Sequence, residues 1–311
     1  MTPSSRPAIQ PAILAIERSA VALKLAKGLK GRERVAALLD CTAPRQKSAL
    51  DRGLILVDYA LAATAAVSIV QGLLATTASI IIGILFLPLT LFIGDLIGQC
   101  THKWLDSYAS EDGFFLGQAA QEFRKHHEYP ANLNGVGYLN HIAAFGKVLF
   151  LPFLGMALTS WFHSPALGLN LLFLLILLLN ATEIHKQAHK SKPDFHGRLL
   201  QSTGLFLTFS KHARHHQPPF DSEFAVINGW SQLLTDRFGF WTKMDLFWWK
   251  TFGDLPRTWI QDPRAIPQSA IEEFRQDPSK IPHDLLVYSE AYPERRPPAV
   301  SLLLENLRAG A

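Results

Sequence analysis

The chain has 311 residues, with 30 Lys and Arg, 26 Asp and Glu, 12 His and 2 Cys. Charged residues make up 18% of it, below the roughly 25% of an average soluble domain, which excludes a disordered or highly charged chain. Two cysteines exclude a disulfide scaffold, a cysteine-based zinc ribbon and an iron–sulfur protein. A formal net charge of +4 gives no footing for a nucleic-acid partner.

Residues 1–52 carry ten Lys and Arg against four Asp and Glu. Within them, 8–30 pairs apolar residues with spaced Lys and Arg, as either a basic amphipathic helix on a membrane or an ordinary surface helix would. The first apolar run starts beyond residue 50, so no cleavable signal peptide is expected. Two long apolar blocks follow, 53–98 and 142–182, and between them they hold three charged side chains, Asp58, Asp95 and Lys147. A membrane helix needs about 20 mostly apolar residues. Each block is long enough for two. The first is expected to break at Gln71-Gly72, giving spans over 54–70 and 73–98, with Pro88 kinking the second. The second breaks at His163-Ser164, giving spans over 143–162 and 165–181, where Pro165 suits a helix start.

The expected architecture is an all-α integral membrane protein with about four transmembrane helices in two hairpins. Neither hairpin tip holds Lys or Arg. The positive-inside rule therefore puts the N-terminus, 99–141 and everything after 182 on the cytosolic or equivalent side. Residues 238–252 are aromatic with Lys and Asp interspersed, which suits an interfacial helix. The divisions read from the sequence are a basic segment over 1–52, a membrane domain over 53–262, and a polar, Pro-rich tail over 263–311.

Eleven of the twelve histidines fall between 102 and 216. His102 and Asp106 are four apart, His126 and His127 are adjacent, His185 and His189 are four apart, and His212, His215 and His216 form HxxHH. Residues at i and i+4 share a helix face, so His185 and His189 can grip one metal. In HxxHH the first two share a face and the third can serve a second metal. All four groups fall on the cytosolic side of the span model, as a His-rich cap just outside the bilayer. His163 falls at a far hairpin tip, His283 in the tail and His196 in a loop.

Eight histidines exceed the needs of one ion, since a structural zinc takes four ligands and a catalytic zinc three plus water. Imidazole also suits iron. The Glu-x-x-His pattern of carboxylate di-iron bundles is missing, because Glu183-Ile184-His185 has the wrong spacing. A His-rich di-iron centre that activates dioxygen is the expected cofactor, since the metal must carry hydrogen removal from an unactivated carbon. With no fused electron-transfer domain in the sequence, an external donor is needed.

The segments DLIGQCTHKWLDSYAS, FRKHHEYP, ATEIHKQAH and SKHARHHQPPFDSEFAVINGW resemble the Kua family of lipid desaturases, the plasmanylethanolamine desaturase (CarF-like) family. That family also takes in a plant plastid enzyme acting on the palmitoyl chain of phosphatidylglycerol. The resemblance covers roughly 53–262 and includes the aromatic segment that closes in PRTW. It implies His102, His126, His127, His185, His189, His212, His215 and His216 as iron ligands, with Asp106 matching the family's Asp four residues after the first His. It implies a membrane phospholipid as substrate and a reductase or small electron carrier, of ferredoxin or cytochrome type, as partner. The plasmalogen branch has a further His where this chain has Val136. His141 is either a replacement ligand or a polar pocket residue. The lipid is thus left open between plasmanylethanolamine-type and phosphatidylglycerol-acyl-type. A membrane hydroxylase, which returns oxygen to the carbon, and a non-catalytic membrane metal-binding protein are the rival readings.

Overall fold

The computed structural model describes residues 48–75, 77–110, 113, 116–128, 130–159, 164–190, 192–217 and 219–277. Among these residues the fold is helical, without strands. The reading of 8–30 as an amphipathic helix, and the placements of His163 and His283, lie outside the described residues.

Helix α1 (Ala49–Leu74) starts at a capping box. The Ser48 hydroxyl accepts from the Asp51 amide, and the Asp51 carboxylate accepts from the Ser48 amide. Asp51 also pairs with Lys147 Nζ at 2.7 Å, which fixes the start of α1 against α4 (Tyr138–Thr159). Helix α2 (Thr77–Ser107) runs 31 residues with Pro88 inside it. The expected break at Gln71-Gly72 is not there: α1 continues to Leu74 before α2 begins at Thr77. One weak helix former does not end a helix whose neighbours still bury it.

At Gly72 the chain runs so close to Pro165 that an added Cβ would meet Pro165 Cγ at 2.5 Å. The proline ring cannot swing away. Gly72→Leu is expected to lower the stability of the detergent-purified protein by about 1–3 kcal/mol through overpacking, read from its thermal unfolding.

Helix α5 (Pro165–Leu179) opens on the expected Pro165. It does not end cleanly at the membrane surface. A bend of 53° joins it to α6 (Ala181–His189). The bend falls at Asn180, whose side-chain oxygen accepts from the Tyr59 hydroxyl at 3.2 Å and the Tyr138 hydroxyl at 2.5 Å. Asn180 Nδ2 in turn donates to the Ile176 carbonyl. These bonds tie α1, α4 and the α5–α6 corner together.

Helices α1, α2 and α4 are each long and apolar enough to cross a membrane, and the bent α5–α6 pair makes a fourth if counted as one span. Ile55, Ile69, Ile142, Phe153 and Leu179 pack the core between α1, α4 and α5. Leu85 and Leu151 point outward at 70% exposure each. Buried apolar side chains inside and exposed ones outside are what an all-α membrane protein presents to lipid.

The remaining elements are short and lie beyond the ends of α2 and α6. They are α3 (Gly117–Glu128), a 3-10 turn over Pro130–Gly135, α7 (Phe195–Ser202), α8 (Phe209–His212), α9 (Gln232–Arg237), α10 (Phe240–Phe252), α11 (Arg257–Gln261), a 3-10 turn over Pro263–Ala265 and α12 (Gln268–Gln276). His196 sits exposed on α7 and not in a loop. The aromatic segment forms α10, which exposes Phe247 and Phe252 but buries Trp241, Asp245 and Trp249. The packed structure does not stop at 262. Ala270, Ile271 and Phe274 of α12 close a core with Trp249 and Trp259. The sequence reads as a tail there because Pro and charge dominate the local composition, while the three apolar residues that α12 buries are sparse.

Candidate metal centre

Four pieces of chain bring the histidines together. His102 and Asp106 lie on the last turns of α2, His126 and His127 on α3, His185 and His189 on α6, and His212, His215 and His216 at and just after α8. Hydrogen bonds from other elements hold several of these pieces. Arg124 of α3 donates to the carbonyls of Asp106 and Ala109, satisfying groups that α2 leaves open at its end. Lys103, wholly buried, donates to Asp245 at 2.9 Å and to Thr258 at 3.2 Å, and Tyr108 also bonds Asp245. That clamp holds α10 against α2.

The segment after α8 is held by Asp95. Its carboxylate accepts from the amides of Asn228, Gly229 and Ser231 at 3.0–3.1 Å, from the Ser231 hydroxyl at 2.7 Å and from Gln99 at 2.9 Å. Phe220 and Glu223 in this segment both have φ of 61°, a left-handed conformation that costs energy outside glycine and gathers at functional sites.

The side chains converge into two adjacent groups. The first contains His126, His185, His189, His212 and His216; the second contains His102, Asp106, His127 and His215. In each group one ligand atom per residue lies within 4.8 Å of every other. The groups touch, with ring centroids of His126 and His127 4.6 Å apart and of His127 and His216 4.7 Å apart. Every histidine of the expected set is therefore brought together, but in a five-and-three division with Asp106 completing the smaller group.

Helix geometry fits part of the division but does not choose it. His185 and His189 share a group because they are i and i+4, as do His102 and Asp106. His126 and His127 are neighbours, about 100° apart around α3, so they point into different groups. In HxxHH, where 213–216 turn out of α8, His212 groups with His216 and the middle histidine, His215, goes to the second group.

In the first group, His212 Nε2 lies 2.7 Å from His185 Nε2, 3.0 Å from His189 Nε2 and 3.0 Å from His216 Nε2. A neutral imidazole has one N–H, so this knot cannot be satisfied by hydrogen bonds alone. Two nitrogens at right angles, each about 2.1 Å from one ion, would sit about 3.0 Å apart. The spacing fits nitrogens arranged around a cation. His126 Nε2 is buried beside them without a hydrogen-bond partner.

In the second group, Asp106 Oδ2 is 3.2 Å from His102 Nε2, 3.1 Å from His127 Nε2 and 3.4 Å from His215 Nε2. His102 Nδ1 is 3.0 Å from the Phe224 carbonyl, and His215 Nδ1 is 3.0 Å from the Ser222 carbonyl. A carbonyl only accepts, so in both rings the proton sits on Nδ1 and the Nε2 lone pair faces the group.

Burial disfavours the charged form of several of these imidazoles. His126 and His212 are held well below the ordinary histidine range, first by loss of solvent and then by neighbouring histidines. His215 is pushed down to about 3, chiefly by burial and by His102. His216 is lowered for the same first reason. A neutral imidazole is the form that binds a metal.

His141 is in neither group. It is buried with Nδ1 3.4 Å from Glu183 Oε2, and Glu183 pairs with Lys186 at 2.6 Å. Its polar neighbour here is Glu183, outside both groups. The carbonyls of Ser222 and Phe224, the Lys103–Asp245 clamp and the Asp95 cradle are absent from the sequence reading. Asp95 had a signal, an ionisable side chain inside an apolar block. The backbone acceptors had none.

A centre of this composition, set at the ends of membrane helices, defines the class of protein. Residues 91–259, more than half of the chain, match the family model described as a lipid desaturase domain, and the chain belongs to that family. It is similar to fatty acid desaturase 4, chloroplastic, of Arabidopsis thaliana, 23% identical over 169 residues that cover 53% of this chain and 51% of that protein. It is also similar to plasmanylethanolamine desaturase 1 of Mus musculus, 25% identical over 174 residues that cover 53% of this chain and 64% of that protein. The matches thus span between half and two thirds of these relatives' own length. No solved structure matches the chain.

Proposed function

We propose that this chain is a dioxygen-dependent desaturase of membrane lipid chains, with one iron in each histidine group. The observation that carries this reading is the pair of touching, buried, nitrogen-rich groups at the ends of α2 and α6. Iron bound there supplies the activation of dioxygen needed to take hydrogen from an unactivated carbon. The overall balance is one saturated –CH2–CH2– unit, one dioxygen, two electrons and two protons, giving one alkene and two waters. The two electrons come from an external reductase or a small carrier of ferredoxin or cytochrome type.

The residues of the chain do the holding. The eight imidazoles offer the ring nitrogens, and Asp106 supplies a carboxylate oxygen. The Phe224 and Ser222 carbonyls set the tautomers of His102 and His215. Burial keeps bulk water away from the ligand atoms. The substrate is a membrane phospholipid with an acyl or alkyl chain. The active side is the cytosolic or equivalent face, supported by the basic N-terminal segment.

Expression in a strain lacking the activity, followed by lipid analysis, tests the reaction. The expected product is a new C=C bond in one phospholipid class; a hydroxylated chain in its place would replace desaturation with hydroxylation. Elemental analysis of the purified protein is expected to give close to two irons per chain. A stable single zinc with full activity sinks the di-iron reading. For the topology, tags at both chain ends are expected to be accessible from the cytosolic side of sealed vesicles.

A further inference from the structure

The two metal groups differ in what they face. Beside the second lies a cavity of about 540 Å³, within the roughly 300–1,000 Å³ of small-molecule sites. Ile97, Cys100 and His102 of α2 form one wall, Val148 of α4 the opposite one, and Leu178 and Thr182 of the α5–α6 corner the floor. Among the described lining residues only His102 and the Cys100 thiol are ionisable, and His102 is the only member of either metal group.

The position of the cavity follows from helix packing. Helix α2 packs mainly on α5, and α4 packs mainly on α1 and α5. A cleft therefore stays between α2 and α4. Ile97 and Val148 stand on its lips and are 38% and 41% exposed, on the faces turned to lipid. The first metal group has a different neighbour. His126, His185 and His141 line a separate space of about 20 Å³, enough for one water and too small for a hydrocarbon chain, since a water needs about 10–15 Å³. Phe123, Phe145 and Thr182 border both spaces and partition them.

We propose that one hydrocarbon chain of a membrane lipid enters sideways between α2 and α4 and lies in this cavity with its reacting carbons beside His102. The second group, His102, Asp106, His127 and His215, is then the one that meets the substrate, and the five-histidine group is screened from it. This rests on the desaturase reading and adds to it a route and a side. The occupant is a lipid chain for three reasons. The lips open where α2 and α4 cross the membrane, so a soluble molecule has no access. The lining offers almost no hydrogen bonds to a polar ligand. A protein helix, about 10 Å across with its side chains, is too wide for a cavity of this volume.

The test places bulk on the lips. Ile97→Trp and Val148→Trp narrow the cleft without touching a metal group. Leu167→Trp, in a separate lipid-facing groove with Phe86 and Asn170, is the control. Two quantities are read on the full chain in liposomes carrying Cys41→Ser. One is alkene product, and the other is the rate at which a bilayer-soluble N-alkyl maleimide labels Cys100. Both lip variants are expected to lower product and labelling by about tenfold or more while keeping wild-type iron content, and Leu167→Trp to change neither. Val148→Phe stands in if a tryptophan variant fails to fold. Unchanged labelling of Cys100 in both lip variants overturns the proposal, as does unchanged product in both. A wild-type protein that binds no iron and makes no alkene defeats the desaturase reading, and the labelling rates then decide the cleft by themselves.

Discussion

His185→Ala and His216→Ala are expected to remove one of two bound irons and to abolish alkene formation, with the protein still inserted in the membrane. Both residues belong to the five-histidine group, where His185 and His216 each lie against His212 Nε2 at 2.7 and 3.0 Å. The spans are untouched by either change. Asp106→Ala is expected to be as damaging as these, although a residue that only orients a ligand typically costs about 10–100-fold. The reason is position. Its Oδ2 lies within 3.4 Å of three imidazole nitrogens, in the place of a ligand atom and not behind one. The iron lost in Asp106→Ala is the other one, so Asp106→Ala combined with His216→Ala should bind none. His141→Ala is expected to keep both irons, since it faces Glu183, and His196→Ala to be neutral, since it is exposed on α7. Iron content and product at matched expression check the series. Two irons retained in Asp106→Ala would falsify its placement as a ligand.

Asp95→Ala is expected to cost stability on a similar scale to breaking a buried ion pair, about 3–5 kcal/mol. Asp95 is wholly buried in α2, and its loss strands the amides of Asn228, Gly229 and Ser231 without acceptors. The consequence for the centre is selective. Residues 222–231 carry the two carbonyls that hold His102 and His215. The second group should therefore lose iron affinity by about 10–100-fold, the usual effect of disturbing a ligand's outer partner. The first group rests on α3, α6 and α8 and should keep its iron. Thermal unfolding together with metal titration separates the two effects. Equal loss from both groups would show that Asp95 holds the whole cap and not this one segment.

Much of the molecule was legible in the sequence because it depends on local periodicity. Long apolar blocks mark membrane helices whatever they pack against, since a bilayer imposes the same length on all of them. The i, i+4 spacings of His102 with Asp106 and of His185 with His189 fix which side chains share a helix face before any fold is known. Type and spacing were therefore enough to pick out the eight histidines and Asp106 that the fold gathers. Helix ends were less legible. Gln71-Gly72 looks like a break, but its surroundings are apolar enough to continue α1 to Leu74. The bend at Asn180 depends on two tyrosines, Tyr59 and Tyr138, that are distant in sequence.

What the chain determined by itself was the inventory: membrane helices, a His-rich cap beside them, and the residue types that gather in it. What only the tertiary structure decided was how that inventory is divided. His126 and His127 are neighbours in the chain yet face different groups, and His215 leaves its HxxHH partners for the other side. Those choices are set by which rings and carbonyls approach from other parts of the chain. The Phe224 and Ser222 carbonyls, the Asp95 cradle under 228–231 and the cleft between α2 and α4 are likewise products of packing. A backbone oxygen has no side-chain identity to read, and a cleft is the space two helices leave when both pack on a third.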